Sequence, residues 1–230
     1  MTIVLVIFAL LAGGMMMTLS AQQENQRLTE VRRQLSDIRD ALIGYTVAYG
    51  RLPPPADPTI ASGTAGAGES NDNRLASPHN GLGVLPWATL GLPETDPWGQ
   101  RFTYRVHPGF ADAISPSTAP PSCNPASATP PPPVQASFAL CSQGNINVTD
   151  GAVNIATNLP AIVVSHGRNG RSGYRSDGAQ IPGAAADEAE NGDNNHAFVS
   201  RTHSPDFDDE LIWVPIPILM SRMIAAGRLP

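Results

Sequence analysis

No charged side chain occurs from Met1 to Leu19. As an α-helix rising about 1.5 Å per residue, that run spans roughly 28 Å, close to the hydrocarbon thickness of a bilayer. Ile3, Val4, Leu5, Val6, Ile7, Phe8, Leu10 and Leu11 give it the all-round apolar surface that lipid, or a core of neighbouring helices, accepts. A cleaved signal peptide is the alternative. Against it, no Lys or Arg precedes Ile3, and Leu19 is large for the position three before a cut after Ala21. A buried core helix fits poorly, because such a run rarely opens a soluble chain.

The pattern beyond Leu19 argues against removal of this segment. Leu28, Val31, Leu35, Ile38, Leu42, Tyr45 and Tyr49 alternate in steps of three and four over three heptads. Glu30, Arg32, Arg33, Asp37 and Arg39 fall between them, and no proline interrupts Ser20 to Ala48. One helix can therefore run from the apolar segment to Tyr49. Gly50 stands where a helix end takes a left-handed residue, and Pro53 to Pro55 prevent resumption. The first half is apolar all round and the second has a single stripe, as expected of a helix whose distal half packs on a globular head. Gly13-Gly14 is where it could bend. A two-chain coiled coil is the other reading of the heptads, though three repeats are short for one.

Composition narrows the classes further. Hydrophobic residues make up 41% of the 230 and charged residues 15%, so a core can form under an unusually neutral surface. A net charge of −6 without a basic run excludes binding to nucleic acid by phosphate neutralisation. The 23 prolines and 21 glycines predict long irregular loops, and low-complexity loops are expected at 51–83 and 115–134. Three regions result: 1–21 as the membrane or filament-core half of the helix, 22–50 as its amphipathic half, and 51–230 as one head. Short strands are expected at Arg101–His107, with Phe102, Tyr104 and Val106 on one face, and at Ala136–Cys141, Ala161–Ser165, Ala197–Arg201 and Leu211–Val214. A C-terminal helix is expected at Pro217–Gly227, burying Leu219, Met223 and Ile224. The predicted fold is α+β, a long helix lying across a small antiparallel sheet.

The order of landmarks resembles a known family. The apolar start runs into a helix ending Ala41-Leu-Ile-Gly-Tyr, then Tyr49-Gly-Arg-Leu-Pro53. Leu85-Pro-Trp-Ala-Thr-Leu-Gly-Leu-Pro93, Asp96-Pro-Trp-Gly-Gln-Arg-Phe-Thr-Tyr104, Ser165-His-Gly-Arg-Asn-Gly170 and Phe207-Asp-Asp-Glu-Leu-Ile-Trp213 come next. Together these resemble the type IV pilin and type II secretion pseudopilin superfamily. Family precursors carry a short basic leader and Gly-Phe-Thr-Leu-Ile-Glu at the peptidase site. Met1-Thr-Ile-Val-Leu-Val looks like the stretch just downstream of that motif, so the start is expected to lie several residues late, or the chain to be truncated. The resemblance implies a single-pass subunit of the bacterial inner membrane with a periplasmic head. Its partners would be other pilin or pseudopilin subunits and the inner-membrane assembly platform. The Pro-rich loops suggest a minor subunit rather than the bulk pilin.

Candidate chemistry is sparse. Asp96, Pro97, Trp98 and Gly99 form a turn signature, with Trp98 expected as a core anchor beneath it. In an oxidising periplasm Cys123 and Cys141 can form a disulfide, worth about 3 kcal/mol of loop entropy, that tethers the Pro-rich insertion; two reduced thiols are the alternative. In the acidic run 187–195, Asp187, Glu188, Glu190 and Asp193 offer hard oxygens for Ca²⁺, and the resemblance implies that this is where the major pseudopilins bind it, though such loops are also often just solvated. No other cofactor is expected. His79, His107, His166, His196 and His203 never pair at metal-ligand spacing, and no Gly-x-Ser-x-Gly elbow surrounds Ser165. Gly167-Arg-Asn-Gly-Arg171 reads as a turn, since no Lys-Ser/Thr comes after it. The expectation is thus a non-enzymatic filament subunit, with an anchored binding or adhesion module that never polymerises as the alternative. An anchored hydrolase lacks a triad.

Overall fold

The computed structural model describes residues 2–114, 123, 136–183 and 186–229, with residues 2–20 described as helical backbone alone. The apolar side chains from Ile3 to Leu11, and the Pro-rich run at 115–134 apart from Cys123, lie outside the described residues. Among the residues whose side chains are described, which in this helix begin at Ala21, no helix is long and apolar enough to cross a membrane.

Helix α1 runs from Thr2 to Tyr49. Gly50 closes it in the left-handed region (φ 75°), its N–H donating to Thr46 O at 2.7 Å. The distal half turns Val31, Leu35, Ile38, Leu42, Ile43 and Thr46 inward, and each is buried. Every buried aliphatic on this stripe contributes about 1.5–3 kcal/mol. The expected stripe ends on Tyr45 and Tyr49, and here the structure corrects it. Tyr45 is half-buried, whereas Tyr49 is 62% exposed, its ring 4.4 Å from that of Tyr45. A straight helix drifts about 20° per heptad against a seven-residue repeat, so after three heptads Thr46 has taken the inward position.

The stripe lies on a four-stranded antiparallel sheet. β1 (Leu82–Val84), β3 (Thr103–Val106), β6 (Ala161–Ser165) and β9 (Glu210–Trp213) stand in the order β1-β3-β6-β9. Tyr104, Val106, Ala161, Val163 and Ile212 share a core with α1. The opposite face is also covered. Ile162, Val164, Leu211 and Trp213 pack with Ile146, Val148, Leu159 and Phe198 from a second sheet. That sheet consists of β4 (Ile146–Thr149), β5 (Asn154–Leu159) and β8 (Ala197–Val199), with β4 between an antiparallel and a parallel neighbour. The chain is therefore α+β, with an N-terminal helix on an antiparallel sheet, and a second sheet completes three layers.

This third layer explains why Arg101–His107 departs from simple alternation. The segment divides into β2 (Gln100–Arg101), which pairs with β7 (Tyr174–Arg175), and β3, in which all four residues are buried. Arg101 is fully buried but satisfied. It pairs with Glu94 at 2.8 Å, donates to Pro58 O, Ile60 O and Ser176 O, and lies 4.7 Å over the Trp87 ring of α2 (Trp87–Leu90). It thereby pins the irregular chain after α1 to the sheet.

Two further expectations are corrected. Ala136–Cys141 forms no strand; Ser137 N–H donates to Gly50 O, and Ala136 and Phe138 plug the core beside Phe110 of α3 (Pro108–Ala111), the two rings 4.8 Å apart. With prolines upstream, this segment inserts side chains rather than joining a ladder. The terminal helix α5 (Ile216–Ala225) buries Leu219, Met220 and Met223, but Ile224, in its last turn, is 47% exposed. Arg228 reaches back from beyond α5 to donate to Val47 O and Ala48 O, satisfying carbonyls that the end of α1 leaves open.

Candidate metal centre

Three loops that the fold brings to one end of β6 and β9 build an acidic centre. The first leaves β6, where the chain turns at His166-Gly167-Arg168-Asn169-Gly170. Gly170 N–H donates to His166 O, and Gly167 adopts φ 57°. A Cβ on Gly167 would lie 2.3 Å from Asp208 O and 2.6 Å from the Asp208 carboxyl carbon, so the missing side chain is what admits Asp208. The second is α4 (Ala186–Glu190), which turns Glu188 inward to full burial. The third precedes β9. There Phe207 is fully buried, hydrogen-bonded both ways with Ser204 and stacked under Arg201 at 4.6 Å, and this turn delivers Asp208 and Asp209.

Glu188, Asp208 and Asp209 each bring a carboxylate oxygen into a group lying within 4.8 Å of one another. In each carboxylate one oxygen is held by an amide. Asn169 Nδ2 donates to Glu188 Oε1 at 2.7 Å, and Asn169 N–H to Asp208 Oδ2 at 3.1 Å. Asn191 Nδ2 donates to Asp209 Oδ2 at 2.8 Å. The second oxygens, Glu188 Oε2, Asp208 Oδ1 and Asp209 Oδ1, are buried without a hydrogen-bond partner among the described residues. The Arg171 guanidinium stands 4.0 Å from Glu188 Oε2, beyond hydrogen-bond range. Burial, together with the charges of Glu188 and Asp208, pushes the Asp209 carboxyl well above the usual carboxylate range.

Such an arrangement is costly without a cation, since buried carboxylates repel and each open oxygen has lost water without replacement. A hard divalent ion resolves both costs. Oxygen ligands on opposite sides of Ca²⁺ lie about 4.6–5.2 Å apart, and the three oxygens fit within that span. Asp209 also lines a surface cavity of about 330 Å³ shared with Arg32, Arg201 and His203, although its side chain is fully buried. The residues present fit the group.

Of the four expected calcium ligands, the structure brings Glu188 alone into this centre. Asp187 faces outward and accepts from Arg201 Nε at 2.6 Å, Glu190 accepts from Asn195 Nδ2, and Asp193 accepts from Asn195 N–H and Nδ2. A five-residue helix explains the separation, since neighbouring helical positions point apart. Sequence reasoning missed Asp208, Asp209, Asn169 and His166 as members of one site. Their signal was present as the Phe-Asp-Asp-Glu run and the His-Gly-Arg-Asn turn, but nothing along the chain says that the two meet.

The remaining motifs are structural in their contacts. Asp96 is buried beneath its turn, accepts from Trp98 N–H and Gln100 N–H at 2.9 Å each, and takes the Ser165 hydroxyl at 2.6 Å. Trp98 packs against the α1 core half-buried, its Nε1 without a hydrogen-bond partner among the described residues. His166, fully buried, faces Thr103 Oγ1 through Nε2 at 2.7 Å, and burial lowers its pKa to about 4. Ser165 and His166 thus serve different partners on opposite sides of the strand. Cys123 and Cys141 are joined by a disulfide, with Cα atoms 5.5 Å apart.

No protein-family model, curated protein or solved structure matches the chain.

Proposed function

We propose that the chain is a membrane-anchored filament subunit of the pilin or pseudopilin kind, whose periplasmic head carries Ca²⁺ on Glu188, Asp208 and Asp209. One observation carries the reading. A single unbroken helix joins a charge-free N-terminal run to a buried stripe on an antiparallel sheet. At about 1.5 Å per residue, roughly 40 Å of α1 precedes Leu28, enough to cross a bilayer or to lie in a bundle of like helices. Lipid and such a bundle are similarly apolar, so one surface serves both states without refolding. The head supplies contacts to other subunits and to the assembly platform of the inner membrane. The role of the ion is structural. It cross-links α4, the turn after β6 and the approach to β9, and removes the repulsion among their carboxylates.

The test is the mature N-terminus and mass of the protein isolated from its native membrane. A product that keeps the apolar helix, sediments with membrane and co-purifies with further subunits in shear-released filaments is the expected result. Cleavage after Ala21, leaving a freely soluble head, would overturn the filament reading.

A further inference from the structure

We propose that Thr103 and His166 are positioning residues for the cation centre. In this arrangement Thr103 fixes the imidazole so that Nδ1 faces Asp209 and holds that carboxylate toward the ion. The inference rests on the calcium reading of the centre.

Thr103 opens β3 and pairs with Val164 of β6, which places it beside the residue just past the end of β6. It is 4% exposed, and His166 is fully buried. Thr103 Oγ1 and His166 Nε2 are 2.7 Å apart although 63 positions separate the two residues. Gly173 lines the ring's flank: a Cβ there would lie 2.9 Å from His166 Cδ2, so the imidazole has close neighbours on two sides.

The other ring nitrogen has no hydrogen-bond partner among the described residues. His166 Nδ1 faces Asp209 Oδ1 at 3.8 Å, and both atoms are buried without a hydrogen bond. Asp209 Oδ2, by contrast, is taken by Asn191, whose amide is itself locked by two hydrogen bonds to the Val199 backbone. Asp209 therefore has one hydrogen-bonded support, through Asn191, and faces a second buried ring nitrogen at 3.8 Å, beyond hydrogen-bond range.

The chemistry gives the pair a direction. A neutral imidazole carries one N–H. When the Thr103 hydroxyl donates to Nε2, the proton must reside on Nδ1, where it points at Asp209 Oδ1. The opposite tautomer sets a lone pair against that oxygen. The Nδ1–H form is the one that presents a donor to Asp209 Oδ1. Hydrogen-bonded supports of this kind orient metal ligands, and their loss typically costs about 10–100-fold in metal affinity. A pair that merely fills the space between the two sheets depends on shape instead.

Calorimetric titration of the full chain in detergent, stripped with EDTA and titrated with CaCl₂, separates the two. Thr103→Val keeps the shape and loses the hydroxyl; Thr103→Ser keeps the hydroxyl and loses a methyl. The expected result is Ca²⁺ binding about 10–100-fold weaker in Thr103→Val and restored in Thr103→Ser. Nitrogen-15 spectra of His166 in the wild type should show Nδ1 protonated once Ca²⁺ is bound. Unchanged affinity in Thr103→Val, or an Nε2–H ring in the loaded wild type, overturns the proposal. The spectrum decides the matter even if the valine variant fails to fold. Wild-type protein that binds no Ca²⁺ overturns the calcium reading, and this inference with it.

Discussion

Arg32 of α1 donates to Glu210 of β9 at 2.6 Å, and Glu210 also lies 3.2 Å from His203 Nε2. This contact is the charged clasp between the helix and the edge strand of the sheet. The Arg32 side chain is 63% exposed, so solvent screens the pair and it contributes little beside the apolar stripe. Arg32→Ala is expected to cost at most about 1 kcal/mol in urea unfolding, with the difference vanishing in high salt. A larger, salt-insensitive loss would show that the clasp does more than the geometry indicates.

The stripe itself is where stability resides. Leu35 and Ile38 are each 2% exposed and Leu42 is fully buried. Leu42→Ala is expected to lower stability by about 2–5 kcal/mol. Asp at Leu35 or Ile38 adds an unpaired buried charge and should unfold the head outright. Melting that does not change in the Asp variants would mean that α1 leaves the sheet without cost.

Asp96 gives the head a pH dependence of predictable sign. Burial raises its pKa, against the hydrogen bonds from Ser165, Gln100, Trp98 and Gly99 that lower it. An acid with a raised folded pKa favours the fold while protonated, so its contribution is complete below the unfolded value of about 3.9 and is lost as pH rises through the folded value. Asp96→Asn should flatten the fall in urea midpoint above pH 4. An identical pH profile in wild type and variant would refute this assignment.

Calcium should stabilise the head through the acidic centre, by about 2.7 kcal/mol at a hundredfold excess over Kd. Glu188→Gln and Asp209→Asn are expected to abolish that gain in thermal melts run with CaCl₂ against EDTA. Gly167→Ala should abolish it too, and lower the EDTA baseline as well, because its Cβ collides with Asp208 and φ is 57°.

The disulfide between Cys123 and Cys141 is expected to contribute about 2–4 kcal/mol, chiefly by restricting the unfolded chain across the Pro-rich run. Cys141→Ser, or reduction, should lower the urea midpoint. Alkylation of the native protein without reductant should add no mass.

The helix and the principal strands were legible because their signals are local. The stripe from Leu28 to Leu42, the Pro-free run before Gly50 and the alternation at Phe102, Tyr104 and Val106 each act within a few residues. Strand β6 was readable as a short apolar run for the same reason, although burial on both faces conceals which strands flank it. Of the second sheet only β8 was readable, within Ala197–Arg201; β4 and β5 escaped notice because they are polar and Asn-rich, and Asn147 and Asn158 break the usual strand composition. The centre was legible only in pieces. Acidic density near Asp187 and Glu188 marked the neighbourhood, but the geometry depends on a tertiary meeting of α4 with Asp208 and Asp209, and on Gly167 leaving room for it.

The sheet's last strand and the arginine that caps α1 both lie beyond residue 209. Neither the clasp at Glu210 nor the cap at Arg228 can form until nearly the whole described chain has left the ribosome. The apolar helix, made first, meets whatever receives it while the head is still slack polymer. For the membrane-anchored subunit proposed above, this order would put insertion first, translocation of an unfolded chain second, and folding of the head last, on the far side.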